Sequence, residues 1–247
     1  MKSKNLADHM IATYITIRIG MAVLGIALPF VLWIGGHLRS DLPLQQSMSA
    51  YYHAGGGAMR DEFVGLLFAL GVLLYLYRGY TTLENFALNL AGIFVVGVAL
   101  IPMQWGCGTS CSKVSLHGTA AVLFFLSIAY VCVFRASDTL ALMSDRKRAM
   151  KFARTYRALG TGMVLSPAFA VILSIALQPL SPAKSTVFFV EALGTFVFAS
   201  YWIVKSREIV LSNLERSAVE GRLKTRQIRA ADAFKEILVE RVAGAAE

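Results

Sequence analysis

The chain has 247 residues, of which 56% are hydrophobic and 16% are charged, and its mean hydropathy is +0.60. These values argue against a soluble domain, because soluble domains carry about 25% charged residues. The net charge is +9. The basic residues of the chain flank long apolar runs, where anionic lipid headgroups would lie. Binding to these headgroups explains the positive charge without a nucleic-acid partner.

Six apolar runs are long enough, or nearly so, to cross the hydrocarbon core of a membrane, which requires about 20 helical residues. They cover residues 19–36, 62–78, 83–103, 115–134, 159–179 and 186–204. The sequence lacks the short alternating segments of a membrane β-barrel. We therefore predict an all-α fold, with a bundle of six transmembrane helices over residues 1–204.

Basic residues are distributed unequally between the two sides of the predicted bundle. Twenty Lys and Arg residues fall on the side of the termini, and four fall on the other side: Arg39, Arg60, Lys113 and Lys184. Because basic residues near helix ends resist translocation, the richer side faces the cytoplasm. The pattern predicts a protein of the bacterial inner membrane with both termini cytoplasmic and membrane lipids as its surroundings.

The third apolar run begins at a recognisable helix start. Thr81 and Glu84 have the spacing of a capping box, in which the two side chains accept hydrogen bonds from amide groups of the first turn. A tight cytoplasmic turn therefore separates the second and third runs, and we expect their helices to be neighbours.

The polar stretch SMSAYYHAGGGAMRDEFVG, residues 47–65, lies directly before the second apolar run. Tyr52 fits either the aromatic belt at the outer membrane face or the mouth of a pocket. The three glycines at 55–57 provide either a hinge or a loop that crosses in little space.

Ionisable residues from four parts of the chain share one predicted depth near the outer face: His53, Arg60 with Asp61, His117, and Glu191. Glu191 is the most informative, because a lone carboxylate in hydrocarbon is costly and requires a partner. We expect Arg60 to form an ion pair with it, or His117 a hydrogen bond. The ligand-binding residues of a periplasmic pocket would then be Tyr52, His53, Arg60, Asp61, His117 and Glu191. The alternative is that these residues only join helices.

A metal ion is a narrower interpretation of the same residues. His53, Asp61, His117 and Glu191 supply the nitrogen and carboxylate ligands that zinc accepts. Their spacing matches no local motif, so they would have to meet through the tertiary structure. Zinc is therefore a candidate cofactor, and no catalytic residue is predicted.

Two cysteines, Cys107 and Cys111, lie in a loop predicted to face an oxidising compartment. We predict a disulfide between them, with a metal site as the alternative. Cys132 falls near the inner end of the fourth run and is predicted to be a small buried hydrophobe.

After the last apolar run, the sequence becomes amphipathic. Apolar positions such as Leu211, Leu214 and Ile228 recur at helical spacing among many charges. We predict a cytoplasmic helical tail over residues 205–247. Such helices pack together, lie on the membrane, or pair with another subunit's tail and so form a homo-oligomer.

Four blocks of the sequence resemble a family of uncharacterised bacterial multi-pass membrane proteins: SMSAYYH, RDEFVGLLFALGVLLYLYRGY, LENFALNLAGIFVVGVALIPM and SLHGTAAVLFF. This resemblance implies a multi-pass fold and assigns no activity. A more distant similarity is to the membrane hydrolase superfamily that includes alkaline ceramidases, in which Ser, Asp and His residues converge on zinc. This chain departs from that pattern, because it has six runs where seven spans are expected and Glu191 where the last span should carry a His-x-x-x-His pair.

Two functions follow from these features. The first is a non-enzymatic inner-membrane protein whose outer pocket binds a lipid headgroup, an ion or a small solute, for binding, sensing or transport. The second is a metal-dependent membrane hydrolase that acts on a lipid-like amide or ester. The lack of a third histidine near the cluster favours the first, although His37 could serve.

Overall fold

The computed structural model describes residues 2–107, 114–140, 143, 145–177 and 185–212. Within these ranges the chain is helical and contains no β-strand. The α-helices are α1 (Lys2–Ser40), α2 (Ala54–Gly57), α3 (Arg60–Leu76), α4 (Thr82–Leu100), α5 (Leu116–Tyr130), α6 (Ala136–Leu140), α7 (Arg146–Leu177) and α8 (Thr186–Ser212). A 3₁₀ turn occupies Ser49–Tyr52, and a π turn at Val131–Arg135 joins α5 to α6. The all-α prediction is confirmed for the described residues.

The six long helices form a closed ring in which the contacts follow chain order. α1 packs against α3, α3 against α4, α4 against α5, α5 against α7, and α7 against α8. α8 also packs along α1 and so closes the ring. Buried side chains from all six helices form one continuous core.

The outward face of α1 is apolar, as a lipid environment requires. Its exposed apolar residues recur every three or four positions, at Val23, Ile26, Phe30 and Ile34. Its fully buried residues lie on the opposite face, at Met21, Leu28 and Leu32. In water such an exposed stripe would be unfavourable, whereas lipid tails solvate it.

Within the described residues, four helical segments are long and apolar enough to cross a membrane: Asp8–Ser40, Thr82–Leu100, Leu116–Leu140 and Thr186–Ser212. The chain is therefore a membrane protein. α3 has 17 residues, so its length of roughly 26 Å falls short of the hydrocarbon thickness of about 30 Å. The count of six spans stays a prediction.

The predicted start of α4 is confirmed. Glu84 N donates to Thr81 Oγ1 at 3.2 Å, and Glu84 Oε2 accepts from Tyr80 N at 2.8 Å. In a capping box the Glu84 carboxylate would accept from the amide of Thr81, the N-cap residue. Here it accepts from the amide of Tyr80, one residue earlier. α3 and α4 are neighbours, as the tight turn between them predicted.

Two glycines allow α3 and α4 to touch through their backbones. A methyl group at Gly71 would lie 2.9 Å from the Gly92 carbonyl oxygen, and one at Gly92 would lie 2.8 Å from the Gly71 carbonyl oxygen. Both distances are shorter than an ordinary carbon–oxygen contact of about 3.3 Å. Small residues at such crossings let membrane helices approach closely.

We expect Gly71→Ala to destabilise the protein, because backbone atoms of α4 cannot move aside as a flexible side chain can. Overpacking of this kind costs about 1–3 kcal/mol. Gly65→Ala is the matched control, since nothing lies within 4 Å of its Cβ position. Melting temperatures in one detergent should fall for Gly71→Ala and hold or rise for Gly65→Ala. Equal values for the two variants would contradict the close approach.

Candidate functional site

The loop of residues 41–59 joins α1 to α3 and lies across the beginning of α8. It is called the outer loop below, after the side of the membrane that the charge distribution predicts for it. Phe188 N donates to the Gln46 carbonyl at 2.9 Å, and Ser185 Oγ donates to the Leu44 carbonyl at 3.3 Å. The Phe188 amide is one of those that a helix start leaves without an internal acceptor. The outer loop supplies that acceptor and is thereby fixed to α8.

Glu191 lies in the second turn of α8, where its Oε2 accepts a hydrogen bond from Met48 N at 2.6 Å. Met48 is the N-cap of the 3₁₀ turn Ser49–Tyr52, whose first amides need an external acceptor. The predicted requirement for a partner is therefore met by a backbone amide. Among the described residues, no hydrogen bond joins Glu191 directly to Arg60 or His117, the partners expected from the sequence.

His117 is buried at the start of α5 and uses both of its ring nitrogens. Nδ1 lies 2.7 Å from the Ile101 carbonyl oxygen, and Nε2 lies 2.8 Å from Ser49 Oγ. Because a carbonyl oxygen can only accept, Nδ1 carries the proton and Nε2 of the neutral ring accepts from the Ser49 hydroxyl. His117 thus connects the outer loop to the ends of α4 and α5.

His53 belongs to a stack of side chains at the surface of the outer loop. Its Nε2 donates to the Met103 carbonyl at 2.9 Å. Its ring stacks on Trp105 at a centroid distance of 5.5 Å and meets the edge of Tyr52 at 4.8 Å. His53 therefore contacts both Trp105 and Tyr52, a residue for which the membrane interface was one of the two predicted places.

Arg60 continues this stack with a guanidinium that is held on three sides. Its Nε donates to the Tyr52 carbonyl at 3.2 Å, and its Cζ lies 4.8 Å from the centre of the Tyr52 ring. Its Nη2 lies 2.7 Å from the position that a Cβ of Gly57 would occupy. The residue is nonetheless exposed. The next residue, Asp61, is exposed as well.

The glycines of the outer loop adopt a left-handed turn. Gly55, Gly56 and Gly57 have φ values of 60°, 70° and 90°, which L-residues with a Cβ rarely adopt. A Cβ at Gly55 would lie 3.0 Å from the Leu42 side chain. Of the two interpretations, the loop that crosses in little space fits these contacts better than the hinge.

The four predicted zinc ligands are not assembled into a metal centre. The described residues include no group of three or more His, Cys, Asp or Glu side chains that could hold a metal ion. Both nitrogens of His117 are hydrogen-bonded to protein atoms, His53 Nε2 donates to a carbonyl, and Glu191 caps a turn. Asp61 is exposed. The metal-dependent hydrolase depends on such a centre, so this geometry gives it no support.

Two further predictions fall partly outside the described residues. Cys111 lies outside them, so the Cys107–Cys111 disulfide stays a prediction, whereas Cys132 is free and buried as expected. α8 continues past Trp202 to Ser212, and residues 213–247 of the predicted tail are not described.

The opposite end of the ring contains a set of fully buried charges: Glu84, Lys205 and Glu208, called the buried charge cluster below. Lys205 Nζ donates to Glu208 Oε2 at 3.1 Å and to Thr139 Oγ1 at 2.7 Å. Tyr156 OH donates to the same Glu208 oxygen at 2.5 Å. The side chains of Lys205 and Glu208 are 0% exposed.

Several polar atoms of this region have no hydrogen-bond partner among the described residues. They are Glu84 Oε1, Glu208 Oε1, Tyr201 OH and Trp202 Nε1. Glu84 is 1% exposed and the other three residues are 0% exposed. Buried polar groups are almost always paired in folded proteins. Several buried polar atoms without a partner in one region of the described chain therefore need an explanation.

The sequence alone did not indicate the buried charge cluster, because its pattern presents Lys205 as a cytoplasmic charge and Glu84 as a helix cap. One signal was available. Tyr201, Lys205 and Glu208 lie at positions i, i+4 and i+7 of α8 and share one helix face. That face continues the buried stripe of Phe198 and Trp202, so its charges point into the bundle.

Comparison of the chain with protein-family models, curated proteins and solved structures finds no match. The resemblance to multi-pass membrane proteins and the distant one to ceramidase-like hydrolases therefore stay predictions. Function has to be argued from the two ends of the ring.

We expect Glu191→Ala to destabilise the protein by about 1–3 kcal/mol, since it leaves the Met48 amide without its acceptor in a partly buried place. Glu191→Gln should retain most of the stability, because the amide oxygen of Gln can accept the same bond. Asp61→Asn, at an exposed position, is the control. Chemical unfolding measures all three. Equal losses for Glu191→Ala and Asp61→Asn would show that the cap has no role in stability.

Proposed function

We propose that the chain is a six-span protein of the bacterial inner membrane whose outer face binds a phosphate-bearing lipid headgroup through Arg60. One observation carries this proposal. The Arg60 guanidinium is fixed by the Tyr52 carbonyl, the Tyr52 ring and Gly57, while its two terminal amino groups make no hydrogen bond with any described residue. An arginine with a planar pair of unused donors is suited to bidentate contact with phosphate.

The fixed position of Arg60 favours binding, because an arginine normally loses side-chain entropy when it engages a ligand. That loss is about 0.5–1.5 kcal/mol for a long side chain at an interface. Here the contacts with Tyr52 and Gly57 already restrict the Arg60 side chain to one conformation before a ligand binds. The side chain behaves as a preorganised donor.

The neighbours of Arg60 fit the same ligand. The stack of Tyr52, His53 and Trp105 has the composition of a membrane interface, where aromatic rings lie at headgroup level. Asp61, the next residue in the chain, adds an exposed carboxylate at the start of α3. A headgroup with both a phosphate and an ammonium group would complement this pair of charges.

The assignment of this end to the outer face rests on the charge asymmetry. The twenty basic residues of the opposite side and the four of this side support cytoplasmic termini and an outer loop on the periplasmic face. In that orientation Arg60 would contact lipids of the periplasmic leaflet.

We expect Arg60→Gln to weaken retention of phosphatidylethanolamine by about 10–100-fold, because a hydrogen bond to a charged group contributes about 1.5–3 kcal/mol. Native mass spectrometry after titration with the lipid would measure this. The matched control is Arg39→Gln, since Arg39 is also exposed but pairs with Glu62. Equal weakening by both variants would reduce the site to general electrostatic attraction, and no weakening by Arg60→Gln would refute it.

Orientation is tested by labelling introduced cysteines in intact cells with a membrane-impermeant maleimide. Leu38→Cys and Arg78→Cys, each in a background without native cysteines, provide exposed positions at opposite ends of the bundle. We expect Cys at position 38 to react from outside and Cys at position 78 to react only after lysis. The reverse pattern would invert the topology and place Arg60 in the cytoplasm.

A further inference from the structure

We propose that the buried charge cluster binds one exchangeable proton, shared between Glu84 and Glu208 and held beside Lys205. The cluster is separate from the proposed headgroup site. Glu191 and Lys205 are 14 positions apart on α8, which corresponds to roughly 21 Å along the helix.

The charge count carries the first step. Within the described residues of the cluster, two ionised carboxylates and one ammonium group carry a net charge of −1 at a place where the residues are 0–1% exposed. The nearby Arg135–Asp138 pair, at 3.3 Å, adds no net charge. An unbalanced charge inside a membrane protein is costly. A single proton removes it.

Charged and titratable groups surround the cluster from every adjacent element: Arg18 on α1, Tyr77 and Tyr80 after α3, Cys132 and Arg135 on the π turn, Asp138 on α6, Tyr156 on α7 and Tyr201 on α8. The charges that act on Glu84 are those of Lys205, Asp138 and Glu208. Arg18 lies at the edge, where its Nε donates to Tyr77 OH at 3.0 Å.

The carboxylate oxygens without a hydrogen-bond partner are suitable sites for a bound proton. Glu84 Oε1 and Glu208 Oε1 are buried oxygens without a hydrogen-bond partner in the described chain, and either can carry a proton without a cavity around it. Tyr201 OH, also unpartnered, interacts electrostatically with Glu84. A metal ion fits less well, since it needs several converging ligands, and the described residues include no such group of three.

A short hydrogen-bonded connection leads from the cluster towards the surface. Thr81 Oγ1 accepts from Glu84 N at 3.2 Å and lies 3.4 Å from Asp138 Oδ2. The Asp138 side chain is 13% exposed. The partly exposed Asp138 carboxylate therefore lies beside the start of α4, the helix that carries Glu84.

Infrared spectroscopy of the full-length protein in lipid nanodiscs tests the proposal, because protonated and ionised carboxyl groups absorb at different frequencies. At neutral pH we expect a protonated-carboxyl component that shifts in D₂O. Glu84→Gln and Glu208→Gln should each remove it, since Lys205 balances the remaining carboxylate. Lys205→Met should enlarge it about twofold, because two carboxylates then lack a cation. Asp61→Asn, at the exposed outer position, should leave it unchanged.

Three results would overturn the proposal. The first is a wild-type spectrum without a protonated carboxyl group at neutral pH. The second is a component that both Gln variants leave intact, which would place the proton elsewhere. The third is displacement of the component by sodium ions at fixed pH, which would make an alkali cation the occupant. If one Gln variant fails to fold, the other Gln variant and Lys205→Met still decide.

Discussion

The packing of α8 against both α1 and α7 is the contact on which the rest of the structure depends. It closes the ring, and α8 carries Glu191 at one end and Lys205 at the other. Between them α8 approaches α1 closely, since a Cβ at Gly25 would lie 3.2 Å from the Thr195 carbonyl oxygen. A shift of α8 along its axis would therefore separate the outer loop from its anchors and expose the buried charges together.

Buried polar groups at the two ends of α8 obtain hydrogen-bond partners in different ways. A polar group removed from water and lipid headgroups needs an internal partner. At the outer end the backbone supplies it, since the Met48 amide meets Glu191 and the Ile101 carbonyl meets His117. At the other end only part of the requirement is met, because Glu84 and Glu208 each keep one carboxylate oxygen without a partner in the described residues. The first arrangement fixes structure, and the second leaves capacity for a ligand.

The sequence predicted those features that depend on local pattern. The apolar runs identified the long helices, and Thr81 with Glu84 identified the start of α4. It also predicted that Glu191 needs a partner, but it named the side chains of Arg60 and His117, because a backbone amide in a loop 143 positions away has no signature in the side-chain sequence. Lys205 was misjudged for another reason. A basic residue after an apolar run usually lies at the membrane surface, whereas the structure places Lys205 in contact with Thr139 and Tyr156 inside the bundle.

Stability alone does not account for the buried charge cluster. Buried ion pairs are often matched or exceeded in stability by apolar residues of similar volume, and here two carboxylate oxygens gain no hydrogen bond from the part of the chain that the structure describes. The Lys205 ammonium does gain contacts with two aromatic faces, at 5.6 Å from the ring centres of Tyr80 and Tyr156, but these contacts leave the two carboxylate oxygens without a partner in the described residues. Local rules of folding tend to be broken where function requires it. The carboxylates of Glu84 and Glu208 are ionisable groups that each keep a buried oxygen unpartnered in the described chain, and they point to chemistry at the end of the bundle opposite the outer loop.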